Sequence, residues 1–280
     1  MIDLAALREA FAELENLAVL AESGQKQVLR ASRAGTDVVL KLIKPGQEAE
    51  AVQREIQAVA NLNCDYVPQV LDSGKRKIGS EERLFIVEPY IAGESYRQQL
   101  QREPKPPLDF VVRLADVLLR ACCDFEAQGI VHRDLKPENL LIGVEGKIWI
   151  IDFGIVRVLD ATSITPTHRA FGKFTLGYGA PEQMRNLKPQ IDARADLFSI
   201  GVILYESLCG FQPYYQGKHD QMDVVRHVTD QDLTPLVLPQ AQGFVDFVMV
   251  LCARFASRRP QTARQALEWF LEATNATPAK

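Results

Sequence analysis

Two short motifs near the middle of the chain combine the residue types that phosphoryl transfer to a hydroxyl group needs. Residues 132–139 read His-Arg-Asp-Leu-Lys-Pro-Glu-Asn, and residues 152–154 read Asp-Phe-Gly. The reaction needs a group that accepts the hydroxyl proton and a divalent cation that neutralises charge on the phosphate oxygens. Asp134 and Asn139 lie five residues apart, so one tight loop can direct the carboxylate to the hydroxyl and the amide to the metal. Asp152 would supply a second hard oxygen ligand of the kind that suits Mg²⁺.

These motifs and the residues around them resemble the eukaryotic-like (Hanks-type) Ser/Thr protein kinase domain. The wording Ala-Pro-Glu-Gln at residues 180–183 is similar to that of prokaryotic members. The resemblance implies a bilobal α+β fold, with a small β-rich N-lobe, a larger helical C-lobe and the nucleotide cleft between them. It also implies transfer of the ATP γ-phosphate to protein hydroxyls. The implied boundaries are a helical extension at 1–16, the N-lobe at 17–91, the C-lobe at 92–273 and a tail at 274–280.

The resemblance also assigns residues to the nucleotide, which is implied to be ATP with Mg²⁺, or with Mn²⁺ in its place. Lys41 resembles the lysine that holds the α- and β-phosphates, and Glu55 resembles the glutamate that orients this lysine. Pro89 and Ile91 resemble the hinge residues whose C=O and N–H bind the adenine edge, and a proline keeps its carbonyl. The remaining implied contacts are Val28 and Leu141 on the faces of the adenine ring, with Ser23 and Lys26 at the phosphates.

Further positions indicate the substrate class and the supporting framework. Lys136, two residues after the proposed base, is typical of Ser/Thr kinases, and Thr175 resembles the threonine that contacts both base and lysine. The implied substrate is therefore a protein with Ser or Thr acceptors. By the same resemblance, Glu182 pairs with Arg259 in a buried ion pair, and Asp196 supports the loop that carries the base.

The proposed nucleotide pocket departs from the family pattern. Residues 21–28 read Ala-Glu-Ser-Gly-Gln-Lys-Gln-Val, so all three glycines of the family's phosphate-covering loop are replaced. Glycine is used there because the absence of Cβ lets backbone N–H groups close over phosphates. Val39 replaces a smaller residue, and Glu88 is an unexpectedly polar gatekeeper. One alternative is therefore a pseudokinase scaffold with weak nucleotide binding.

A second alternative is a small-molecule phosphotransferase, because that branch also places an Asp and an Asn five residues apart. Those enzymes typically lack Lys136, the stretch 175–182 and the partner Arg259, all of which this chain has. The protein kinase interpretation is therefore preferred.

The segment after residue 154 contains several hydroxyl side chains that a kinase could modify. A phosphate adds about −1.5 to −2 charge and can order a loop by pairing with arginines. Arg133 and Arg157 resemble the basic cluster that receives such a phosphate. We expect autophosphorylation at Thr167 first and at Thr165 second.

Composition and charge narrow the classes of partner. The net charge is −4, so no global positive field attracts nucleic acid or an anionic membrane. Apolar runs such as residues 148–151, which end at Asp152, are far shorter than the about 20 residues of a membrane helix. The first residues lack the basic region of a signal peptide. We expect a cytoplasmic protein that receives its input from a regulatory partner, from its own activation segment or from a region outside this chain.

Hydrophobic periodicity predicts the elements that must position these residues. The first 16 residues are predicted to form an amphipathic helix. Most of the predicted strands then lie before residue 93, and most of the predicted helices lie after it. The predicted strands are 17–20, 28–31, 38–43, 67–71 and 84–87; the predicted helices are 48–62, 108–128, 193–209, 220–228, 244–255 and 262–274.

Overall fold

The structure is a computed structural model of the chain, and its described residues form two compact units. The described residues are 4–22, 26–43, 49–153, 175–185, 187, 191–217 and 220–275. The first unit holds the described residues among 4–63 and 68–92, and the second holds those among 64–67, 93–153 and 175–275. The domain boundaries taken from the sequence stay predictions.

The first unit is an antiparallel five-stranded sheet with strand order β1-β2-β3-β5-β4. Its elements are α1 (Leu4–Ala10), β1 (Glu15–Glu22), β2 (Lys26–Arg33), β3 (Thr36–Ile43), α2 (Ala49–Ala60), β4 (Asp72–Ile78) and β5 (Glu81–Pro89). Leu40 in β3 is paired with Leu29 in β2 on one side and with Val87 in β5 on the other. This register places the three apolar side chains in one row across the centre of the sheet.

One face of this sheet forms the core of the first unit. Successive side chains of a strand point to opposite faces, so every second residue of β2, β3 and β5 faces the same way. The buried cluster on this face comprises Leu29, Ala31, Val38, Leu40, Leu42, Phe85 and Val87, joined by Leu7, Phe11 and Leu14 from the N-terminal segment and by Ile78. The opposite face carries the alternate residues, among them Val39 and Lys41.

The N-terminal segment is an integral part of that core. The Phe11 ring meets the Phe85 ring edge to face, with 5.2 Å between their centroids. The guanidinium of Arg76 lies over both rings, 4.4 and 4.8 Å from the centroids of Phe11 and Phe85. It also donates to the carbonyl oxygen of Ala10 at 2.9 Å and to Glu13 at 2.6 Å. One arginine therefore joins α1, the segment after it and β4.

Two predicted elements of this unit were wrong in their extent or place. The N-terminal helix ends at Ala10, and β1 begins at Glu15, because Phe11 and Leu14 pack on the sheet after the helix. The strand predicted at 67–71 is not in the sheet, whose fourth strand is Asp72–Ile78. This strand reads Asp-Ser-Gly-Lys-Arg-Lys-Ile and lies at the sheet edge, where polar and charged side chains face solvent. An apolar pattern could not reveal it.

The second unit is mainly helical and contains a small three-stranded sheet of order β6-β7-β8. The strands are β6 (Gly93–Ser95), β7 (Leu140–Gly143) and β8 (Ile148–Ile150). The helices are α3 (Tyr96–Arg102), α4 (Leu108–Ala127), α5 (Pro181–Met184), α6 (Ala193–Cys209), α7 (Gln221–Asp230), α8 (Gln242–Leu251) and α9 (Ala263–Asn275). Helix α3 was not predicted, although Ser95 and Gln98 form a capping box at its start.

Helix α6 lies at the centre of this unit. It is buried on nearly every side, as its uniformly apolar sequence predicts. Gly201 permits close packing on α8, because a Cβ atom at this position would lie 2.8 Å from the Cβ of Leu251. A central helix held this tightly can position loops that contact it.

Among the described residues, none of the helices combines the length and the apolar character that a membrane span requires.

We predict that Phe11→Ala destabilises the protein by about 3–5 kcal/mol, the usual cost of truncating a buried phenylalanine. Phe11 is 0% exposed, whereas Leu4 in the same segment is 44% exposed. Leu4→Ala is therefore the control and should stay within about 0.5 kcal/mol of wild type. Thermal and urea denaturation followed by circular dichroism measure both. Equal stability of the two variants would contradict the role of the N-terminal segment in the core.

Candidate active site

The loop 132–139 is hydrogen-bonded to one buried carboxylate, that of Asp196. The backbone N–H of His132 donates to Asp196 Oδ2 at 2.7 Å, and the N–H of Arg133 donates to Oδ1 at 2.8 Å. Asp196 is a buried residue in the first turn of α6. Burial raises its pKa to about 6, although the two N–H donors and the charge of Arg133 lower it. Arg133 has φ of 66°, a left-handed backbone that two donors to a single carboxylate help to maintain.

The proposed base lies in a cluster of three side chains. The Thr175 hydroxyl donates to Asp134 Oδ1 at 2.6 Å. The Lys136 ammonium donates to Thr175 Oγ1 at 2.9 Å and lies 3.3 Å from Asp134 Oδ2. Asp134 itself is buried. The Thr175 hydroxyl thus fixes the orientation of the Asp134 carboxylate through Oδ1, and the Lys136 charge lies beside Oδ2. A fixed orientation suits a carboxylate that must accept a proton from a bound hydroxyl group.

The two proposed metal ligands lie next to this cluster. Asn139 ends a 3₁₀ turn, and its Nδ2 donates to the carbonyl oxygen of Asp134 at 2.9 Å. The same nitrogen lies 3.4 Å from the carbonyl oxygen of Asp152. Since the amide nitrogen is turned toward the loop, Oδ1 is the end that can meet a cation. An amide oxygen and the carboxylate of Asp152 fit Mg²⁺, which commonly takes few protein ligands and completes its coordination with phosphates and water.

The backbone around Asp152 is fixed by aromatic packing. Asp152 has φ of 61°, one of four positive values among the non-glycine residues that the structure describes. The ring of the next residue, Phe153, lies 4.5 Å from the His132 ring and 5.1 Å from the Phe125 ring, centroid to centroid. These ring contacts join the two motifs to α4, so residues 152–153 and the loop 132–139 share one support.

The predicted ion pair between Glu182 and Arg259 is formed and buried. All five N–H groups of the guanidinium have acceptors. These are Glu182 Oε1 (2.7 Å) and Oε2 (3.0 Å), and the carbonyl oxygens of Ala253 (2.7 Å), Arg194 (2.7 Å) and Arg254 (3.2 Å). Removing one partner of such a pair leaves a buried charge and costs about 3–5 kcal/mol. The pair is therefore structural, and it fixes α5 to the core.

Gln183, next to Glu182, connects this pair to the loop 132–139 and was not identified from the sequence. Its Nε2 donates to the carbonyl oxygen of Arg133 at 3.0 Å, and its Oε1 accepts from the N–H of Ala180 at 3.0 Å. The sequence did contain a signal for one of these bonds. A glutamine three residues after the N-cap, as Gln183 is after Ala180, commonly accepts a hydrogen bond from the N-cap backbone N–H.

The nucleotide residues assigned from the sequence fall in different parts of the chain. Lys41 is buried on the face of β3 opposite the core, and its Nζ lies 2.6 Å from Oε2 of Glu88, a partner the sequence did not predict. Pro89 ends β5 and is paired with Val38. Val28 and Lys26 belong to β2, Ile91 follows β5, and Leu141 belongs to β7 in the second unit. Ser23, Arg157, Thr165, Thr167 and the side chain of Glu55 lie outside the described residues.

Comparison with known proteins identifies the family. Residues 22–270 match the family model described as the protein kinase domain. The chain belongs to the protein kinase domain family. Members of this family use ATP and a divalent cation and act on proteins. The prediction of a Hanks-type kinase domain similar to prokaryotic members is confirmed.

Two bacterial relatives illustrate the likeness of this kinase domain. Serine/threonine-protein kinase pkn3 of Myxococcus xanthus is 36% identical over 231 residues, which cover 78% of this chain and 41% of that protein. The DNA damage-responsive serine/threonine-protein kinase RqkA of Deinococcus radiodurans is 35% identical over 262 residues, 89% of this chain and 37% of that protein. The chain thus spans about two fifths of the length of these curated relatives.

A solved structure gives the fold. The crystal structure of the Mycobacterium tuberculosis PknI kinase domain matches with a TM-score of 0.65 and 20% identity, over 94% of this chain and 96% of that one. The predicted α+β protein kinase fold is confirmed, with its β-rich and its helical part.

A second polar cluster of the kinase domain was also missed by sequence reasoning. Arg97 donates to Glu138 at 2.9 Å and to Glu206 at 2.7 Å, and the Tyr178 hydroxyl is hydrogen-bonded to both Arg97 and Glu206. Burial and the charge of Glu206 raise the pKa of Tyr178, so its hydroxyl stays protonated and donates. The residues come from separate parts of the chain, and no spacing indicates that they meet.

We predict a pH-dependent stability contribution from Asp196. Its pKa is raised from 3.8 to about 6 in the folded protein, so between these values the folded state holds a proton that the unfolded state has released. The contribution of Asp196 to the free energy of unfolding must therefore fall as pH rises through this window, and it stays constant above it. The stability advantage of wild type over Asp196→Asn should decline from pH 4.5 to about 6 and then level off.

Thermal denaturation at a series of pH values checks this difference. The exposed Asp109 on α4 provides the control for the same substitution away from the loop 132–139. A difference between wild type and Asp196→Asn that is constant or grows between pH 4.5 and 6 would contradict the prediction.

Proposed function

We propose that this domain transfers the γ-phosphate of ATP to Ser and Thr hydroxyls of proteins, with Asp134 accepting the hydroxyl proton. The observation that carries the proposal is the cluster in which Thr175 and Lys136 both contact the Asp134 carboxylate. A buried carboxylate with one oxygen hydrogen-bonded to a hydroxyl is fixed in orientation, as proton acceptance in a transition state requires.

Each residue has a distinct part in this proposal. Asp134 binds and orients the acceptor hydroxyl, and Lys136 places positive charge beside the transferred phosphoryl group. Mg²⁺, held by Asn139 and Asp152, would supply charge neutralisation on the phosphate oxygens. Lys41 would bind the α- and β-phosphates. The side chains themselves need little chemistry, since positioning and electrostatic stabilisation supply most of the acceleration in phosphoryl transfer.

The replaced glycines of residues 21–28 do not argue against activity. Their loss removes contacts that substrate and transition state share, which raises KM more than it lowers kcat. Asp134, Lys136, Asn139 and Asp152 are all present and lie together in the second unit. We therefore favour an active kinase over a pseudokinase scaffold. We expect this kinase to bind ATP more weakly than kinases that keep the glycines.

Substitutions at Asp134 and Thr175 test the proposal. With ATP, Mg²⁺ and a generic protein substrate, Asp134→Asn should lose about 10²–10⁴ in kcat, the range for a general base. Thr175→Ala should lose roughly tenfold to a hundredfold, because it removes one hydrogen bond to a charged group. Thr175→Ser keeps the hydroxyl and should retain most of the activity.

Radiolabel incorporation with phosphoamino acid analysis measures the result. Phosphate should appear on serine and threonine. Wild type no more active than Asp134→Asn would support the scaffold alternative, and transfer to small molecules but not to proteins would support the phosphotransferase alternative. Either result would overturn the proposal.

Autophosphorylation is a further part of the proposed function. Thr167 is the first expected site and Thr165 the second, with Arg133, which lies exposed beside the base, as one expected partner of the phosphate. A regulatory protein partner is a second expected source of input. We place this activity in the cytoplasm, the compartment that supplies ATP.

Phosphopeptide mapping of the purified protein tests this part. Incubation of wild type with ATP should add phosphate to the peptide with Thr165 and Thr167, and Thr167→Ala should remove most of it. Thr162→Ala in the same segment is the matched control and should leave that phosphate in place. An unmodified segment in active protein would contradict the expectation.

A further inference from the structure

One guanidinium in the second unit is held by two carboxylates and a hydroxyl. Arg97 in α3 donates through Nε to Glu138 Oε1 at 2.9 Å and through Nη1 to Glu206 Oε1 at 2.7 Å. Its Nη2 donates to the Tyr178 hydroxyl, which in turn donates to Glu206 Oε2. Glu138 belongs to the 3₁₀ turn at 137–139, and Glu206 lies near the end of α6. Carboxylates from two separate elements thus share one arginine.

The cluster extends from the interior to the surface and favours a cation. The side chain of Glu206 is 5% exposed, that of Arg97 is 22% exposed and that of Glu138 is 45% exposed. Burial lowers the pKa of the Arg97 guanidinium, but the hydrogen bonds and the charge of Glu206 outweigh this effect, so the pKa is raised. A buried carboxylate without a partner is costly. If Arg97 were absent, another cation in its place would therefore be stabilised.

The cluster borders the residues that are proposed to receive the acceptor hydroxyl. Glu138 lies four residues after Asp134, so at most about 14 Å of chain separates them. Tyr178 shares a turn with Thr175, because its N–H donates to the Thr175 carbonyl oxygen at 3.1 Å. The Thr175 hydroxyl donates to Asp134. A segment whose hydroxyl reaches Asp134 extends about 3.3–3.6 Å per residue, so side chains within a few residues of the acceptor can reach the cluster.

We propose that Arg97 is a specificity-determining residue, which fills the place in which a basic side chain near the acceptor of a protein substrate would otherwise bind to Glu138 and Glu206. The proposal rests on the kinase function proposed above and narrows its substrate class. A guanidinium matches carboxylates through its planar set of donors, and Arg97 already uses that match. A substrate arginine therefore gains nothing at this cluster, and the kinase selects segments without regard to a basic side chain there.

Peptide substrates test this selection. The reference peptide has a central serine with three alanines on each side, and in each further peptide one alanine is replaced by arginine. The quantity measured is kcat/KM for each arginine peptide divided by kcat/KM for the reference. For wild type all ratios should lie close to one. For Arg97→Ala the ratio should rise about tenfold or more at the position that meets the cluster, the gain for hydrogen bonds between charged groups.

Arg102→Ala is the matched control on the same helix. Arg102 donates to both carboxylate oxygens of Glu94, at 2.8 and 2.7 Å, and its side chain is 66% exposed. Its removal also breaks an arginine–glutamate pair of α3, but it opens no place beside a buried carboxylate. All ratios for Arg102→Ala should therefore equal those of wild type.

The ratio separates specificity from a structural role. A variant that is partly unfolded loses activity on every peptide alike, so its ratios stay at the wild-type values. Arg97→Gln keeps an amide N–H for Glu206 and should show the same gain in a variant that folds more readily. Ratios in both variants equal to those of wild type would overturn the proposal. So would a wild type that already prefers an arginine peptide about tenfold, because the carboxylates would then be accessible to substrate.

A double variant assigns the gain to the carboxylates. In Arg97→Ala/Glu206→Gln the buried charge is gone, so most of the preference for the arginine peptide should disappear. A preference as large as that of Arg97→Ala alone would show that the arginine binds elsewhere, and it would contradict the proposal.

Peptide binding distinguishes failure of this inference from failure of the proposed function. If wild type is no more active than Asp134→Asn, the kinase function has failed. Fluorescence anisotropy with the same peptides, labelled with fluorescein, then replaces kcat/KM. Tighter binding of an arginine peptide than of the reference by Arg97→Ala, but not by wild type, would support the filling of this place by Arg97. Equal binding of the two peptides by Arg97→Ala would overturn it.

Discussion

The two hydrogen bonds from the loop 132–139 to Asp196 are the interaction on which the position of the candidate site depends. They place consecutive N–H groups of His132 and Arg133 on a carboxylate that is buried in the central helix. Burial raises the pKa of Asp196, because desolvation disfavours the charged carboxylate. The hydrogen bonds that hold the loop are thus formed by a carboxylate that is costly to bury. The position of Asp134 follows directly, because it is the next residue after the second donor.

Other contacts converge on the same short loop. Gln183 binds the carbonyl oxygen of Arg133, and the neighbouring Glu182 binds the fully satisfied guanidinium of Arg259. The ring of Phe153, the residue after Asp152, packs on the ring of His132. The loop is thus fixed by a buried carboxylate, an amide and a ring from three separate segments. In the first unit, the register of β3 and β5 brings the charged groups of Lys41 and Glu88 to 2.6 Å from each other.

The sequence predicted those helices and strands whose own residues show a clear pattern of apolar side chains. The apolar run of α6 was predicted at residues 193–209, where it lies, and the strands β1, β2, β3 and β5 were placed correctly in outline. Strand β4 was not, because an edge strand with Lys75, Arg76 and Lys77 buries too little apolar surface to show a pattern. The N-terminal segment was read as helix throughout, since a sequence pattern cannot show that Phe11 packs on Phe85 in a sheet formed by later residues.

For the proposed site, the sequence by itself determined which residue types are present and which of them are local to one loop. Asp134, Lys136 and Asn139 are within six residues of each other, so short-range geometry places them together. Only the tertiary structure decided which charges pair over long distances. Glu88 meets Lys41 through strand register, and Glu206 meets Arg97 and Tyr178 through the packing of three segments. Such pairs depend on burial and on the distance in space between elements, and neither quantity is a function of spacing along the chain.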